Sequence, residues 1–304
     1  MAYRIPRSES AEAALQRLIL DQNRKALKLL RAWHKDPTDR IHRSRQCFRR
    51  IRAVLLLLHS DAPYIHAVEN RFYRDLARTL ADARDADAMI DAIDFLAERF
   101  AEEAPPDSLA MLRTSLVRRA KADLECSIVD VAARCQEAAV KLERADRRLH
   151  LLPLRGMKRK QVKRSVREGL KRCAKAFKKA RRTRDEDDFH AWRKQVKYSY
   201  YNARLIQDVS PRWARIYTVP LRELAELLGN RQDLYVLDGF LASQPDGLGI
   251  DIHVRAIRDM IASSQGSLEV QALNLGERLF GSGRTKEAGR FVTLHPRVAY
   301  GGDK

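Results

Sequence analysis

The feature that most constrains this chain is a short segment that occurs twice. Residues 41–54 read IHRSRQCFRRIRAV and residues 189–202 read FHAWRKQVKYSYYN, and both contain the pattern His-x-x-Arg-x-x-x-[Arg/Lys]. An offset of 148 positions relates the two copies, and it continues without a gap as far as Asp85 and Asp233. Because a register held over 44 positions rarely arises by chance, we predict an internal duplication of one unit of roughly 150 residues.

The chain is predicted to be all-α. Thirteen Gly and ten Pro in 304 residues leave long intervals without a breaker, and no useful period-two pattern indicates strands. The pattern predicts four helices in the first half, with a break or kink at Asp82 or Asp85 in the third. In the second half it predicts that Gly229 ends a helix and that Asn230 or Asp233 caps the next. The predicted division is a first repeat at 1–152, a second at 153–281, and a basic, mobile tail at 282–304.

Each copy of the repeated segment predicts an amphipathic helix with a charged face. At about 100° per residue, His42, Arg45, Arg49 and Arg52 fall within about 80° of one another, and apolar residues from Ile41 to Leu58 lie opposite. In the second copy, His190, Arg193 and Lys197 lie together, with Lys194 beside them. Arginine supplies bidentate donors suited to phosphate oxygens, lysine a point charge, and histidine one N–H or two. Neither histidine is predicted to be a core residue, and together these side chains favour a phosphate-binding surface over a catalytic centre.

Two further basic stripes follow helical spacing. Residues 155–182 contain fourteen Lys or Arg and one acid, Glu168. Like charges on one helix face destabilise an isolated helix, and an anion would remove that cost, so we interpret both stripes as parts of a binding site. The candidate residues are Arg164, Arg167, Lys171, Lys175 and Lys178 in this segment, and Arg24, Lys28 and Arg31 in the first helix.

The charge balance predicts a polyanionic partner. Lys plus Arg number 59 against 40 Asp plus Glu, which gives a net charge of +19. The four cysteines show no metal-ligand spacing, so neither a metal nor a cofactor is expected. The N-terminus has no apolar signal segment, and no apolar run approaches the roughly 20 residues of a membrane span. We therefore expect a cytoplasmic protein without a membrane partner.

The two motif copies, each followed 43 residues after its histidine by an aspartate, resemble the CHAD family, the conserved-histidine α-helical domain. The resemblance covers about Ser8 to Phe280. It implies two four-helix bundles related by internal pseudo-two-fold duplication, which form one unit around a central basic groove. It also implies binding of inorganic polyphosphate and association with polyphosphate granules. The positions that match the family motif are His42, Arg45, Arg49, His190, Arg193 and Lys197.

The sequence departs from the family pattern in two respects. It also leaves alternatives open for the function and for the roles of two aspartates. Arg52 corresponds to Tyr200, so the groove walls are predicted to differ. The chain has no ExExK signature of the triphosphate-tunnel domain that many relatives carry, so no hydrolase activity is transferred and we predict a non-enzymatic protein. A nucleic-acid binder using the same basic faces is the alternative function, although aromatic residues are not interleaved with the stripes. Asp85 and Asp233 are predicted either to order the basic side chains or to cap helices.

Overall fold

The fold is entirely helical over the residues that the computed structural model describes, namely 3–80, 85–101, 107–154, 156–243 and 254–281. These ranges contain nine α-helices and a short 3-10 turn at Trp33–Lys35. The helices are α1 Ala11–Arg31, α2 Pro37–Leu56, α3 Pro63–Thr79, α4 Asp85–Arg99, α5 Ser108–His150, α6 Arg159–Thr183, α7 Glu186–Leu205, α8 Pro211–Ala242 and α9 Val254–Phe280. The all-α prediction is confirmed, while the predicted tail at 282–304 lies outside the described residues.

Helix starts follow the offset seen in the sequence. Ala11 and Arg159 open α1 and α6, and Pro63 and Pro211 open α3 and α8, in each case 148 positions apart. Proline suits the first turn, where its missing N–H would have no intrahelical partner. This correspondence supports the predicted duplication, which itself stays a prediction.

The two halves differ in how the third helix continues. In the first half α3 ends at Thr79 and α4 begins at Asp85, which confirms the predicted break, but the described residues of this half contain five α-helices rather than the predicted four. In the second half α8 runs without interruption from Pro211 to Ala242, through Gly229 and Asp233. Gly229 therefore ends no helix, and neither Asn230 nor Asp233 caps one. A helix interior tolerates glycine when packing on both sides holds the backbone, and Gly229 is buried.

Two hydrophobic interiors hold the helices together, and both cross the boundary between the halves. The smaller one is a four-helix arrangement of α4, the start of α5, the end of α8 and the start of α9, with Leu96, Leu112, Leu237 and Ile261 at its centre. The larger one contains α1, α2, α3, α6 and α7 with the remaining parts of α5, α8 and α9. Within each half the described helices also pack on one another, α2 and α5 on α1 and α3 on α2 in the first half, and α6 on α7, α7 on α8 and α8 on α9 in the second.

The long helix α5 joins the two interiors. Its 43 residues extend about 65 Å at 1.5 Å per residue. Leu116 belongs to the smaller interior and Val131 to the larger one, and most side chains between them are exposed. The helix thus spans the molecule and is supported mainly at its two ends.

The larger interior is tightly packed where α9 crosses α6 and α7. A Cβ atom added to Gly276 would lie 2.6 Å from Phe177 Cε2 and 2.8 Å from Trp192 Cζ2. Both aromatic side chains are fully buried, so neither ring can turn into solvent to make room. Glycine is required at position 276 because the backbone of α9 lies close to the buried rings of α6 and α7.

We predict that Gly276→Ala lowers the free energy of unfolding by about 1–3 kcal/mol, since overpacking displaces buried rings. Gly266→Ala in the same helix is the matched control, because nothing lies within 4 Å of the added Cβ, and it should stabilise the protein by up to about 1 kcal/mol. Urea denaturation of both variants measures the difference. Equal effects at the two positions would show that the predicted crowding is absent.

Candidate functional site

The helices that carry the two motif copies, α2 and α7, pack against each other. Their predicted apolar faces are buried, from Ile41 to Leu58 in one copy and from Phe189 to Ile206 in the other. Phe48 and Trp192 are fully buried members of these faces. His42 and His190 are half-buried, which confirms that neither histidine is a core residue. The polar faces therefore lie at the edge of the hydrophobic interior, next to the junction of the two helices.

The first motif copy is held against the end of α3. The Arg45 guanidinium donates from Nη1 to the carbonyl oxygen of Leu80 at 2.7 Å, which gives a partner to a carbonyl that follows the last turn of that helix. Gln46 Nε2 lies 2.7 Å from His42 Nε2, which can accept this hydrogen bond while the imidazole is neutral. Arg49 is half-buried on the same side of α2.

The second motif copy is held against the middle of α8. His190 Nδ1 lies 2.8 Å from Gln232 Oε1, a distance at which the ring N–H donates to the amide oxygen. Arg193 Nη2 lies 3.6 Å from Asp233 Oδ1, and the two side chains are 12% and 19% exposed. A Cβ atom at Gly229 would lie only 3.7 Å from Arg193 Nη2. Asp233 thus faces a basic side chain, as one of the two predictions for it states, whereas the side chain of Asp85 lies outside the described residues.

Arg52 connects the two motif helices. Its guanidinium carbon lies 5.9 Å from the centroid of the Tyr198 ring on α7, and its Nε donates to Asn70 Oδ1 on α3 at 2.8 Å. A guanidinium over an aromatic face gains a cation–π attraction of about 0.5–1 kcal/mol when exposed to solvent. Arg52 is therefore fixed in position at the α2–α7 junction.

Next to this junction lies a basic cluster that the sequence analysis did not identify. The rings of His59 and His66 are 4.8 Å apart and edge to face. The pKa of His66 is lowered by burial first, and then by the charges of His59, Arg172 and Arg52. Burial also lowers the pKa of Arg172, and its Nε is buried without a hydrogen-bond partner. These residues come from α2 and its C-terminal turn, α3 and α6, and no sequence spacing connects them.

Three of the predicted stripe residues are already paired with carboxylates. Arg24 Nε lies 3.0 Å from Asp146 Oδ1 and Arg31 Nη2 lies 2.6 Å from Glu143 Oε1, both on α5. Arg164 pairs with Asp61 in the loop after α2. These ion pairs balance part of the charge that the sequence analysis assigned to a ligand.

The remaining stripe residues are placed differently. Lys171, Lys175 and Lys178 on α6 are exposed, and no acidic side chain in the described ranges forms an ion pair with them. Lys28 and Lys194 are exposed as well, and Arg167 is half-buried. The apolar side of α6, from Val162 to Phe177, is buried as predicted.

Neither a metal site nor a membrane span is found in the described part of the chain. No group of three or more His, Cys, Asp or Glu side chains there is arranged to hold a metal ion. Among the same residues, no helix has the length and hydropathy needed to cross a bilayer.

The chain was compared with known proteins. The family model of the CHAD domain matches residues 14–242. The chain belongs to the CHAD family. Among solved structures, the CHAD domain from the plant Ricinus communis is similar, with a TM-score of 0.64 and 18% identity, covering 94% of this chain and 96% of that chain. No curated protein matches. At this level of identity the structural likeness shows the CHAD fold alone, while CHAD domains in general are binding-type domains associated with polyphosphate.

The lowered pKa of His66 in this CHAD domain predicts a specific pH dependence. Because the unfolded chain takes up this proton at a higher pH than the folded chain, the folded state loses stability as the pH falls below about 6.5. The loss stops growing once the pH lies below the folded-state pKa. Replacing His66 by Gln should remove this contribution, which urea denaturation between about pH 7.5 and about pH 5 measures. A proton NMR titration of His66 with a midpoint at or above about 6.5 would contradict the prediction.

Proposed function

We propose that this CHAD domain binds inorganic polyphosphate on the surface formed by the polar faces of α2 and α7. We call this the motif surface, and it consists of His42, Arg45, Arg49, Arg52, His190, Arg193, Lys194 and Lys197. The observation that carries the proposal is the direct packing of α2 against α7. That packing supports a junction at which both sets of donors serve one ligand.

The chemistry of the motif surface suits a chain of phosphate groups. Each guanidinium offers planar, bidentate donors, and the hydrogen bonds that it makes to charged oxygens are about twice as strong as neutral ones. Half-burial strengthens these interactions, because fewer water molecules compete for the donors. The net charge of +19 adds a long-range attraction for any polyanion.

Within the motif surface we assign different roles to the charged residues. Arg45 and Arg193 have partners on the packed helices, Leu80 and Asp233, and these contacts orient them. We assign the direct phosphate contacts mainly to His42, Arg49, His190 and Lys197. Arg52 is oriented by Tyr198 and Asn70 and extends the surface toward the cluster of His59, His66 and Arg172.

The exposed lysines of α6 extend the proposed site. Lys171, Lys175 and Lys178 follow the spacing of one helix face, and α6 packs directly on α7. A polymer that leaves the motif surface along α6 would neutralise these charges. We assign Arg24, Arg31 and Arg164 a smaller part in binding, because a ligand would have to displace the carboxylate that pairs with each of them. We treat Lys28 in the same way, because it lies on the same face of α1 as Arg24 and Arg31.

We further propose that the domain binds without hydrolysing its ligand, and that it associates with polyphosphate granules. Phosphoryl transfer requires a positioned nucleophile and groups that stabilise the leaving oxygen. Beside the motif surface, the carboxylate of Asp233 faces Arg193. Such an arrangement holds a phosphate chain but presents no activated attacking group.

We predict that a variant with His42→Gln, Arg49→Gln, His190→Gln and Lys197→Gln binds long-chain polyphosphate about 100-fold more weakly, because neutral amides replace two cations and two imidazoles and charge-assisted hydrogen bonds to phosphate are lost. Arg45 and Arg193 are left in place so that their contacts with Leu80 and Asp233 persist. A filter-binding titration at fixed salt measures affinity, and circular dichroism verifies the helix content.

The matched control carries Arg118→Gln and Arg215→Gln, which remove the same formal charge from exposed positions on α5 and α8. If this control loses as much affinity as the first variant, net charge alone accounts for binding and the site assignment fails. Duplex and single-stranded DNA, added as competitors at equal phosphate concentration, test the nucleic-acid alternative. Stronger competition by DNA than by unlabelled polyphosphate would favour that alternative.

A second prediction concerns the α6 lysines. Binding of a flexible polyanion releases about 0.7 counterion per neutralised phosphate, so Lys171→Gln, Lys175→Gln and Lys178→Gln together should reduce the slope of log K against log salt by about 2. Titrations at four salt concentrations measure the slope. An unchanged slope would place the polymer path away from α6.

A further inference from the structure

A separate basic cavity lies on another side of the α2–α7 pair. It has a volume of about 430 Å³, within the range of small-molecule sites. Its walls come from α1, α2, the C-terminal end of α7 and the N-terminal residues, and they include none of the motif-surface residues. We call it the Arg50 pocket after the side chain from α2.

Three cations in the pocket have no carboxylate partner. Lys25, Arg50 and Arg204 all line it, and no acidic side chain in the described part of the chain forms an ion pair with any of them. The pocket is also lined by Arg4 and Asp21, and each of these has a partner of opposite charge, since Arg4 pairs with Asp208 at 3.2 Å and Asp21 pairs with Arg17 at 3.5 Å. Like charges that converge in a concave site repel one another, and an anion would offset this cost.

The pocket also contains neutral hydrogen-bonding groups. Gln22 is buried and its Oε1 lies 3.4 Å from Arg50 Nη1, while Arg50 Nε is buried without a hydrogen-bond partner. Gln207 contributes a second amide to the wall. A cavity that combines three cations with such groups suits an anion that has several oxygens.

The N-terminal segment closes one side of the pocket. The Tyr3 hydroxyl donates to the Arg50 carbonyl oxygen at 3.0 Å, and the Arg50 guanidinium carbon lies 5.9 Å from the Tyr3 ring centroid. Ile5 N donates to the carbonyl oxygen of Leu205 at 2.8 Å. Burial raises the pKa of Tyr3, so its hydroxyl stays neutral. The segment ties α2 to the end of α7 and makes the site concave rather than a flat basic surface.

We propose that the Arg50 pocket binds a compact condensed phosphate, such as pyrophosphate or triphosphate, independently of the motif surface. The cavity is large enough for a few phosphate groups, and its three cations match the charge of such an anion. The motif surface follows two helices and suits a polymer, whereas the Arg50 pocket is bounded by four chain segments and suits a short ligand. The protein thus has two phosphate sites of different shape.

Isothermal titration of the full chain with triphosphate tests the proposal. Wild type should show one saturable site, and Lys25→Gln combined with Arg204→Gln should weaken binding by about tenfold or more, because two charge-assisted contacts are lost. Arg50 is left unchanged because it contacts Tyr3 and Gln22. Thermal unfolding without ligand verifies that the double variant is folded.

Two controls separate this site from other basic surfaces. Arg118→Gln with Arg212→Gln removes the same charge from exposed positions of α5 and α8 and should leave triphosphate binding unchanged. The variant altered at His42, Arg49, His190 and Lys197 should also retain it, whatever that variant does to long-chain polyphosphate. The proposal is overturned if wild type shows no saturable binding, if the Lys25 and Arg204 variant binds as tightly as the control, or if only the motif-surface variant loses affinity.

Competition with a nucleoside triphosphate tests whether the pocket binds free condensed phosphate or also the phosphate groups of a larger molecule. Displacement of triphosphate at similar concentrations would show that the pocket accepts the terminal phosphates of a larger ligand. Failure to displace it would restrict the pocket to free condensed phosphate.

Discussion

The packing of α2 against α7 is the contact on which the rest of the structure depends. The apolar sides of both helices enter one hydrophobic interior, and burying a side chain such as Phe48 or Trp192 contributes about 1.5–3 kcal/mol or more. Once those sides are buried, helical geometry determines the position of the polar sides. Histidine, arginine and lysine must lie at the margin of the interior, where they are partly shielded from water but not removed from it. The hydrophobic effect thus determines where the charged groups are.

Partial shielding has a measurable electrostatic effect. Burial lowers the pKa of both His66 and Arg172, because the charged form of each side chain is less favourable where water is partly excluded. Where carboxylates compensate, as with Asp146 beside Arg24 or Asp233 beside Arg193, the arrangement is complete without a ligand. Lys25, Arg50 and Arg204 in the Arg50 pocket, and Lys171 to Lys178 on α6, have no such compensation in the described part of the chain. The distribution of acidic residues therefore separates structural cations from candidate ligand-binding cations.

Sequence periodicity predicted the local features well and the long-range features poorly. It divided α2, α6 and α7 correctly into buried and polar sides, because that division depends only on residue spacing. It failed at Gly229 and Asp233, since a local breaker signal was outweighed by packing of α8 against α4, α7 and α9. It also missed His59, His66 and Arg172, which come from the turn after α2, from α3 and from α6, and the contribution of Tyr3 to a cavity built from four segments. Such groupings depend on how helices cross, and no local pattern encodes that crossing.

The exchange of helices between the two halves has a consequence for ancestry. The smaller interior takes α4 and the start of α5 from one half, and the end of α8 and the start of α9 from the other. The predicted duplication implies a single-copy ancestor, which would have lacked partners for those apolar faces as a monomer. It would have been stable as a homodimer that traded these segments between subunits, and gene fusion would then have joined an existing symmetric pair into one polypeptide. The same prediction implies that the two copies diverged after fusion, with Arg52 in one copy where Tyr200 stands in the other.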